Sequence, residues 1–239
     1  MSFHEFFSNL AGRFGQHIDD SIPGYAANRA RVALAFATLY TDVLDVGASE
    51  GQFGNLIGLA TGGKTRVRNV DPNRDMRNAW KPAPGNSYDV AAWVEGFDDI
   101  ERFDTSERFD AVHMSMVRQF VTADARSWYS EAERFLKPGG VFVTNVKLAP
   151  TPGNEDEWHR LEALKDAYKL ESFTQEEIDR KREETLTGMH QLMLSREEEL
   201  AALAASFVYV AEYWTSYNFA GFVASNDPAA LTRFLEAVS

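Results

Sequence analysis

Apolar residues fall at helical spacing through the first 40 residues, at strand spacing in the middle of the chain, and at helical spacing again after Pro150. "AANRARVALAFATLY" (26–40) predicts a helix, and the Pro-Gly of "SIPGY" (21–25) separates it from an N-terminal helical cap. "DVLDV" (42–46) predicts a short buried strand, followed directly by a helix in "EGQFGNLIGLA". Further strands are predicted at "TRVRNVD" (65–71), "YDVAAWVEG" (88–96), "FDAVHMSM" (109–116) and "GGVFVTNV" (139–146), with a helix over 125–136. Alternating strands and helices predict βαβ units and a parallel sheet covered on both faces. Beyond Pro150 come charged helical runs, "NEDEWHRLEALKDAYKL", "TQEEIDRKREETLTGMHQLM" and "SREEELAALAASF". Two apolar strands, "VYVAEYWTSY" and "FAGFVAS", then predict an antiparallel edge, and a short helix closes the chain.

Composition narrows this picture. The 239 residues fit one α/β domain, with a helical cap over 1–40 and a helical insertion over 151–206. A 44% hydrophobic share with 25% charged residues supplies a full core. Cysteine is absent, which excludes disulfides, a thiolate nucleophile and zinc-thiolate ligation, and no metal site is expected. The N-terminus lacks the pattern of a signal peptide and no 18-residue apolar span occurs, so the expected location is cytoplasmic, without a membrane partner. A formal net charge of −12 disfavours broad contact with a phosphate backbone. The densest basic stretch, "KTRVRNVDPNR", carries Arg66 and Arg68, which a solvated sheet edge explains.

The stretch "VLDVGASEGQFGNLI" (43–57) fits two motifs. Read as G-x-S-x-G, it would present Ser49 as a nucleophile. Read on to Gly54, it is a glycine loop that holds a nucleotide-like ligand. The nucleophile reading needs a histidine base in a late loop, whereas His159 and His190 fall in charged helical runs and the motif follows the first strand rather than a later one. The ligand reading uses more residues. Gly47 and Gly51 permit a tight turn and close backbone approach, and Gly54 permits close helix–strand packing. Asp45 and Asp71 end successive strands at the carboxyl edge, where α/β ligands bind, and Asp71 is placed to accept both hydroxyls of a ribose. Ser49 is then a small loop residue and a ligand hydrogen-bond partner.

"VLDVGASEGQFG", "NVD", "VEGFDDI", "FDAVHMSM" and "RFLKPGGVFVTNV", over about residues 40–147, resemble the ordered motifs of class I S-adenosylmethionine-dependent methyltransferases. The resemblance implies a Rossmann-like, mostly parallel seven-stranded sheet with a reversed C-terminal strand. It implies that the Asp45–Gly51 loop holds the amino acid part of S-adenosylmethionine, Asp71 the ribose and Asp98 the adenine amine, with Phe97 and Asp99 as neighbouring alternatives. Residues Met114 to Gln119, Ser115 among them, would face the sulfonium.

A narrower resemblance runs through "HIDDSIPGY", "RQFV", "EEIDRKREETLTGM" and "EYWTSYNFAGFVAS". These stretches are similar to carboxy-S-adenosylmethionine synthase and its close methyltransferase relatives. That synthase builds a carboxylated cofactor from S-adenosylmethionine and prephenate for tRNA wobble-uridine modification. The likeness implies that Arg182 grips a substrate or cofactor carboxylate, and that Tyr25 closes over the adenosyl site or packs in the core. Trp214, Asn218 and Phe219 read as packing and cleft residues, and His113, Trp128 and Trp158 as structural. The chain departs from the synthase at Ser115-Met116-Val117, at Asn145-Val146-Lys147 and at Phe173, changes that remove polar groups from the expected second-substrate region. The resulting expectation is a methyltransferase of unknown acceptor and no assigned catalytic residue. The synthase, with carboxy-S-adenosylmethionine, and a non-catalytic cofactor-binding or assembly protein are its alternatives, and a homodimer is left open.

Overall fold

The computed structural model describes residues 3–88, 107–183 and 187–239. Seven strands form one sheet in the order β3-β2-β1-β4-β5-β7-β6. They are β1 (Asp42–Val46), β2 (Arg66–Val70), β3 (Asn86–Tyr88), β4 (Phe109–Ser115), β5 (Leu136–Lys147), β6 (Tyr209–Ser216) and β7 (Phe219–Ser225). Strands β3, β2, β1, β4 and β5 pair in parallel. Strand β7 runs antiparallel to both β5 and β6. The two late strands therefore form the expected antiparallel edge on the parallel sheet, with the reversed β7 next to β5 and β6 at the rim.

Alternation along the strands sends side chains into two separate cores. Val43, Val67, Ala111, Val141, Val143 and Val223 face α3 (Tyr25–Leu39), α4 (Gln52–Thr61) and α11 (Pro228–Val238), packing on Phe36, Ile57 and Phe234. Leu44, Val46, Val112, Met114, Phe142 and Phe222 face α6 (Ala125–Glu133) and α10 (Arg196–Ala204), packing on Trp128, Tyr129 and Leu203. With helices on both faces, strands need apolar residues at every position, which is why they read as continuous runs. Gly54 makes the α4 contact close, because a Cβ there would meet Asn69 Oδ1 at 2.5 Å and Val67 Cγ1 at 3.0 Å.

The N-terminal cap is two helices, α1 (Phe3–Ser8) and α2 (Phe14–Ser21), ahead of α3. Gly24 takes φ 75° at the entry to α3, a left-handed conformation suited to glycine. Helix α6 stops at Glu133, short of the predicted end, because Leu136 already pairs with Phe109 across a register shift in β4–β5. The predicted run over 174–193 is built as α8 (Gln175–Lys181) and the short α9 (Thr187–His190), after α7 (Glu155–Lys169). The third strand begins at Asn86, and its expected continuation through Gly96 lies outside the described residues. No described helix is long and apolar enough to cross a membrane.

Candidate active site

The carboxyl ends of β1, β2, β4 and β5 share one edge of the sheet, and Asp45, Gly47, Ser49, Gly51, Asp71 and Ser115 collect there. Beyond β1 the chain turns back on β2, with Gly47 N and Ala48 N both donating to Val70 O at 2.8 and 3.0 Å. The turn requires left-handed backbone at Gly47 (φ 72°), Ser49 (φ 53°) and Gly51 (φ 71°). Glycine adopts that region freely, whereas Ser49 is strained in it, and such strain persists where neighbours over-determine the backbone.

Asp71 is the neighbour that does so. Its Oδ2 accepts the Ser49 amide at 2.9 Å and its Oδ1 accepts the Asn73 amide at 2.8 Å. Burial pushes its carboxyl up to about 6, against the opposing pull of those two amides. Each carboxylate oxygen has two acceptor sites, so Asp71 retains capacity for one further donor on each. That capacity fits the two hydroxyls of a ribose.

Asp45 lies deeper. Its Oδ1 pairs with His113 Nδ1 at 2.7 Å, and the imidazole stacks on Phe53 with ring centroids 3.7 Å apart. Asp45 thus braces the base of the loop through β4 and α4. The Ser49 hydroxyl points at Met76 Sδ, 3.4 Å away, while His113 is held by Asp45 and His190 Nε2 by Lys147 at 3.3 Å. These contacts match a ligand loop rather than a nucleophile with its base.

A polar network fills the middle of the edge. Tyr25 shares a 2.7 Å hydrogen bond with Ser115 Oγ, and Asn145 Nδ2 donates to the same hydroxyl at 3.0 Å. Asn145 Oδ1 accepts from Asn28 and from the Tyr213 hydroxyl. Burial pushes the Tyr25 phenol up to about 12, so it stays protonated. Next to it, Met116 holds φ 60°, a second strained residue at this edge. Asn28, Asn145 and Tyr213 had no assigned role in the sequence, and the network joins α3, β5 and β6.

Glu50 was readable only as a motif spacer, yet it joins the cap to the loop. Its carboxylate accepts the amides of Gly12, Phe14 and Gly15 at the entry to α2 and the side chain of Gln52. The N-terminal helices consequently lie over the candidate site.

Arg182 is half-exposed, and its guanidinium pairs with Asp166 and Asp179. Asp98, with Phe97 and Asp99, lies outside the described residues. Polar groups are present beside the positions where the chain departs from the synthase. Lys147, Lys165, Lys169 and Lys181 line a cavity there beside Met116, Gln119 and Phe120. Their signal was a helical stripe at Trp158, Glu162, Lys165 and Lys169 that is buried despite its charge. Periodicity arguments assign such a stripe to solvent.

Residues 44–144 match the family model described as a methyltransferase domain. No curated protein sequence matches the chain. Among solved structures, an O-methyltransferase family protein from Burkholderia thailandensis superposes with TM-score 0.59 at 12% identity, covering 94% of this chain and 59% of that one. This chain thus spans less than two thirds of that relative. The plantazolicin methyltransferase BpumL, solved with S-adenosylhomocysteine (SAH), gives TM-score 0.61 at 10% identity over 84% of each chain. The N-methyltransferase NodS from Bradyrhizobium japonicum, also with S-adenosylhomocysteine, gives 0.54 at 15% identity over 92% of this chain and 97% of that one. At such identities these likenesses establish the fold alone. Residues 44–144 thus match a methyltransferase domain, within a fold shared with methyltransferases solved with S-adenosylhomocysteine.

Proposed function

We propose that the chain methylates a small-molecule acceptor using unmodified S-adenosylmethionine. Asp71 takes the ribose hydroxyls, and the Gly47–Gly51 loop, braced by Asp45, takes the amino acid part. Tyr25 and Ser115 border the space for the transferred group. S-adenosylmethionine brings an activated methyl group on its sulfonium, so the protein has mainly to bring the acceptor into line. No general base is required for such a role. The observation that carries the reading is Asp71, which organises the loop through Ser49 and Asn73 and retains acceptor capacity on both oxygens.

Use of the unmodified cofactor is supported by the surroundings of Arg182. Two carboxylates already engage this guanidinium, and its side chain is 50% exposed. A fork committed in this way is a poor grip for the carboxylate of a carboxylated cofactor. Mass spectrometry of the ligand carried by purified protein tests the reading, with S-adenosylmethionine or S-adenosylhomocysteine expected. Recovery of carboxy-S-adenosylmethionine, or its formation from prephenate, would replace methyl transfer with the synthase reaction.

A further inference from the structure

Four ammonium groups converge on a cavity of about 90 Å³ between the N-terminal cap and α7–α8. Lys147 ends β5, Lys165 and Lys169 lie one turn apart on α7, and Lys181 ends α8. Lys147 and Lys165 are each 2% exposed and Lys169 5%. Glu162 accepts from Lys147 at 2.7 Å and from Lys165 at 2.5 Å, and Asp166 accepts from Lys169 at 2.9 Å. Asp166 is also shared with Arg182. Lys181 contacts His17 Nε2 at 2.7 Å and Ser21 Oγ at 3.3 Å, and makes no ion pair among the described residues. His17 contributes no charge at neutral pH, because burial and the adjacent Lys181 bring it down to about 3.

The described groups therefore set two carboxylates against four lysine amines, of which Lys181 is held well below the ordinary lysine value by burial and by Lys169, Lys165 and Lys147. The wider cavity of about 660 Å³ outside does not redress this, since Asp20 and Glu177 there are matched by Arg13 and Arg180. Uncompensated charge away from water is costly, and it is sustained where a counter-charge enters the site. Burial and mutual repulsion bring Lys165 down to about 8, the state of an amine short of negative partners.

Other walls of the inner cavity are apolar, among them Phe6, Phe14, Met116 and Phe219. One polar atom interrupts them on the side of β4. Gln119 is 1% exposed and donates its amide to Met116 O, while its Oε1 is buried without a hydrogen-bond partner. That oxygen awaits an O–H or N–H donor.

We propose that this cavity is the acceptor site and that the acceptor is a small organic anion with more than one negative charge. Its anionic group rests on the lysines, its apolar body lies against the phenylalanines, and an O–H or N–H reaches Gln119 Oε1. The proposal rests on the methyltransferase reading, because residues 116–120 follow the strand whose end faces the cofactor.

The test is calorimetry on the purified whole chain with phenyl phosphate, phenylsuccinate and uncharged benzyl alcohol, with and without S-adenosylhomocysteine. At least one dianion should bind one-to-one, about tenfold or more tighter than benzyl alcohol. Whichever dianion binds tighter separates a phosphate ester from a dicarboxylate as the acceptor class. Lys181→Met and Lys165→Met should each weaken dianion binding about tenfold while leaving S-adenosylhomocysteine affinity unchanged. Equal binding of the three probes, binding of neither dianion, or unchanged dianion affinity in both variants overturns the proposal. Should one variant fail to fold, the other variant and the wild-type comparison still decide. Wild type that fails to bind S-adenosylhomocysteine would instead count against the cofactor assignment.

Discussion

The Glu50 carboxylate accepts the backbone amide of Phe14 at 3.1 Å, fastening the glycine loop to the first residue of α2. The same carboxylate holds Gly12 and Gly15, so one side chain satisfies amides that a helix start leaves without intrahelical partners. Glu50→Ala should cost about 1–3 kcal/mol of stability, the range for unpairing partly buried donors. It should also raise amide exchange at residues 12–15 before that of the sheet. Unaltered exchange there would show that the cap is held by its apolar contacts alone.

In its proposed role, Asp71 links cofactor affinity to pH. Its carboxyl, raised to about 6 by burial, must be ionised to accept both ribose hydroxyls. Affinity for S-adenosylhomocysteine should be flat above that pH and fall about tenfold per pH unit below it. Asp71→Asn should cost about 1.5–3 kcal/mol of binding at neutral pH and abolish the acid-side slope. Calorimetry from pH 5 to 8 reads both effects, and an unchanged slope in the variant would assign the titration to another group.

Glu199 is buried beside Tyr129, whose hydroxyl donates to it at 2.7 Å. Burial raises its carboxyl to about 6, above the ordinary value of 4.5. A raised acid costs the folded state above its folded pKa, and the cost is relieved as pH falls toward the unfolded value. A shift of this size corresponds to roughly 2 kcal/mol. Glu199→Gln keeps an acceptor for Tyr129 and removes the charge, so it should stabilise the protein above about pH 6 by up to that amount. Denaturation midpoints that fall at pH 7.5 would show that Arg118, the nearby cation, outweighs desolvation.

Gly54→Ala opposes two effects. Alanine favours the interior of α4 by about 1 kcal/mol. Its methyl group, however, would sit 2.5 Å from Asn69 Oδ1 and 3.0 Å from Val67 Cγ1. Overpacking of that kind costs about 1–3 kcal/mol, so the net change should be destabilising. A raised melting temperature would mean that β2 shifts freely to accommodate the methyl group.

Strands β1, β2 and β4 were legible because apolar runs end in turn residues, although β4 pairs with β1 rather than with β3, its predecessor in sequence. The glycine loop was legible because positive φ restricts residue choice at Gly47 and Gly51. The antiparallel pair β6–β7 was legible from two apolar strands close in sequence, whereas the place of β7 between β5 and β6 was not, since either strand of such a pair can face the sheet. The lysine cavity was hidden for a different reason. Its members come from β5, α7 and α8, and charged residues on a helix give the same pattern whether they face solvent or an enclosed site. Glu50 and the Asn28–Asn145–Tyr213 network were hidden because each contact joins positions far apart in the chain.

Strand β7 has a consequence for biosynthesis. Val141 pairs with Ser225 and Lys147 with Phe219, so one side of β5 has no partner until the ribosome has passed residue 225. Val141, Phe142, Val143 and Val146 are wholly buried in the finished sheet, and until then they present a bare apolar edge of the kind on which chains aggregate. The glycine loop and Asp71 are synthesised early, yet the sheet that carries them closes late. A nascent chain paused among α7–α10 is therefore the form most in need of a chaperone, and slow translation through that stretch should lower yield without altering any residue of the site.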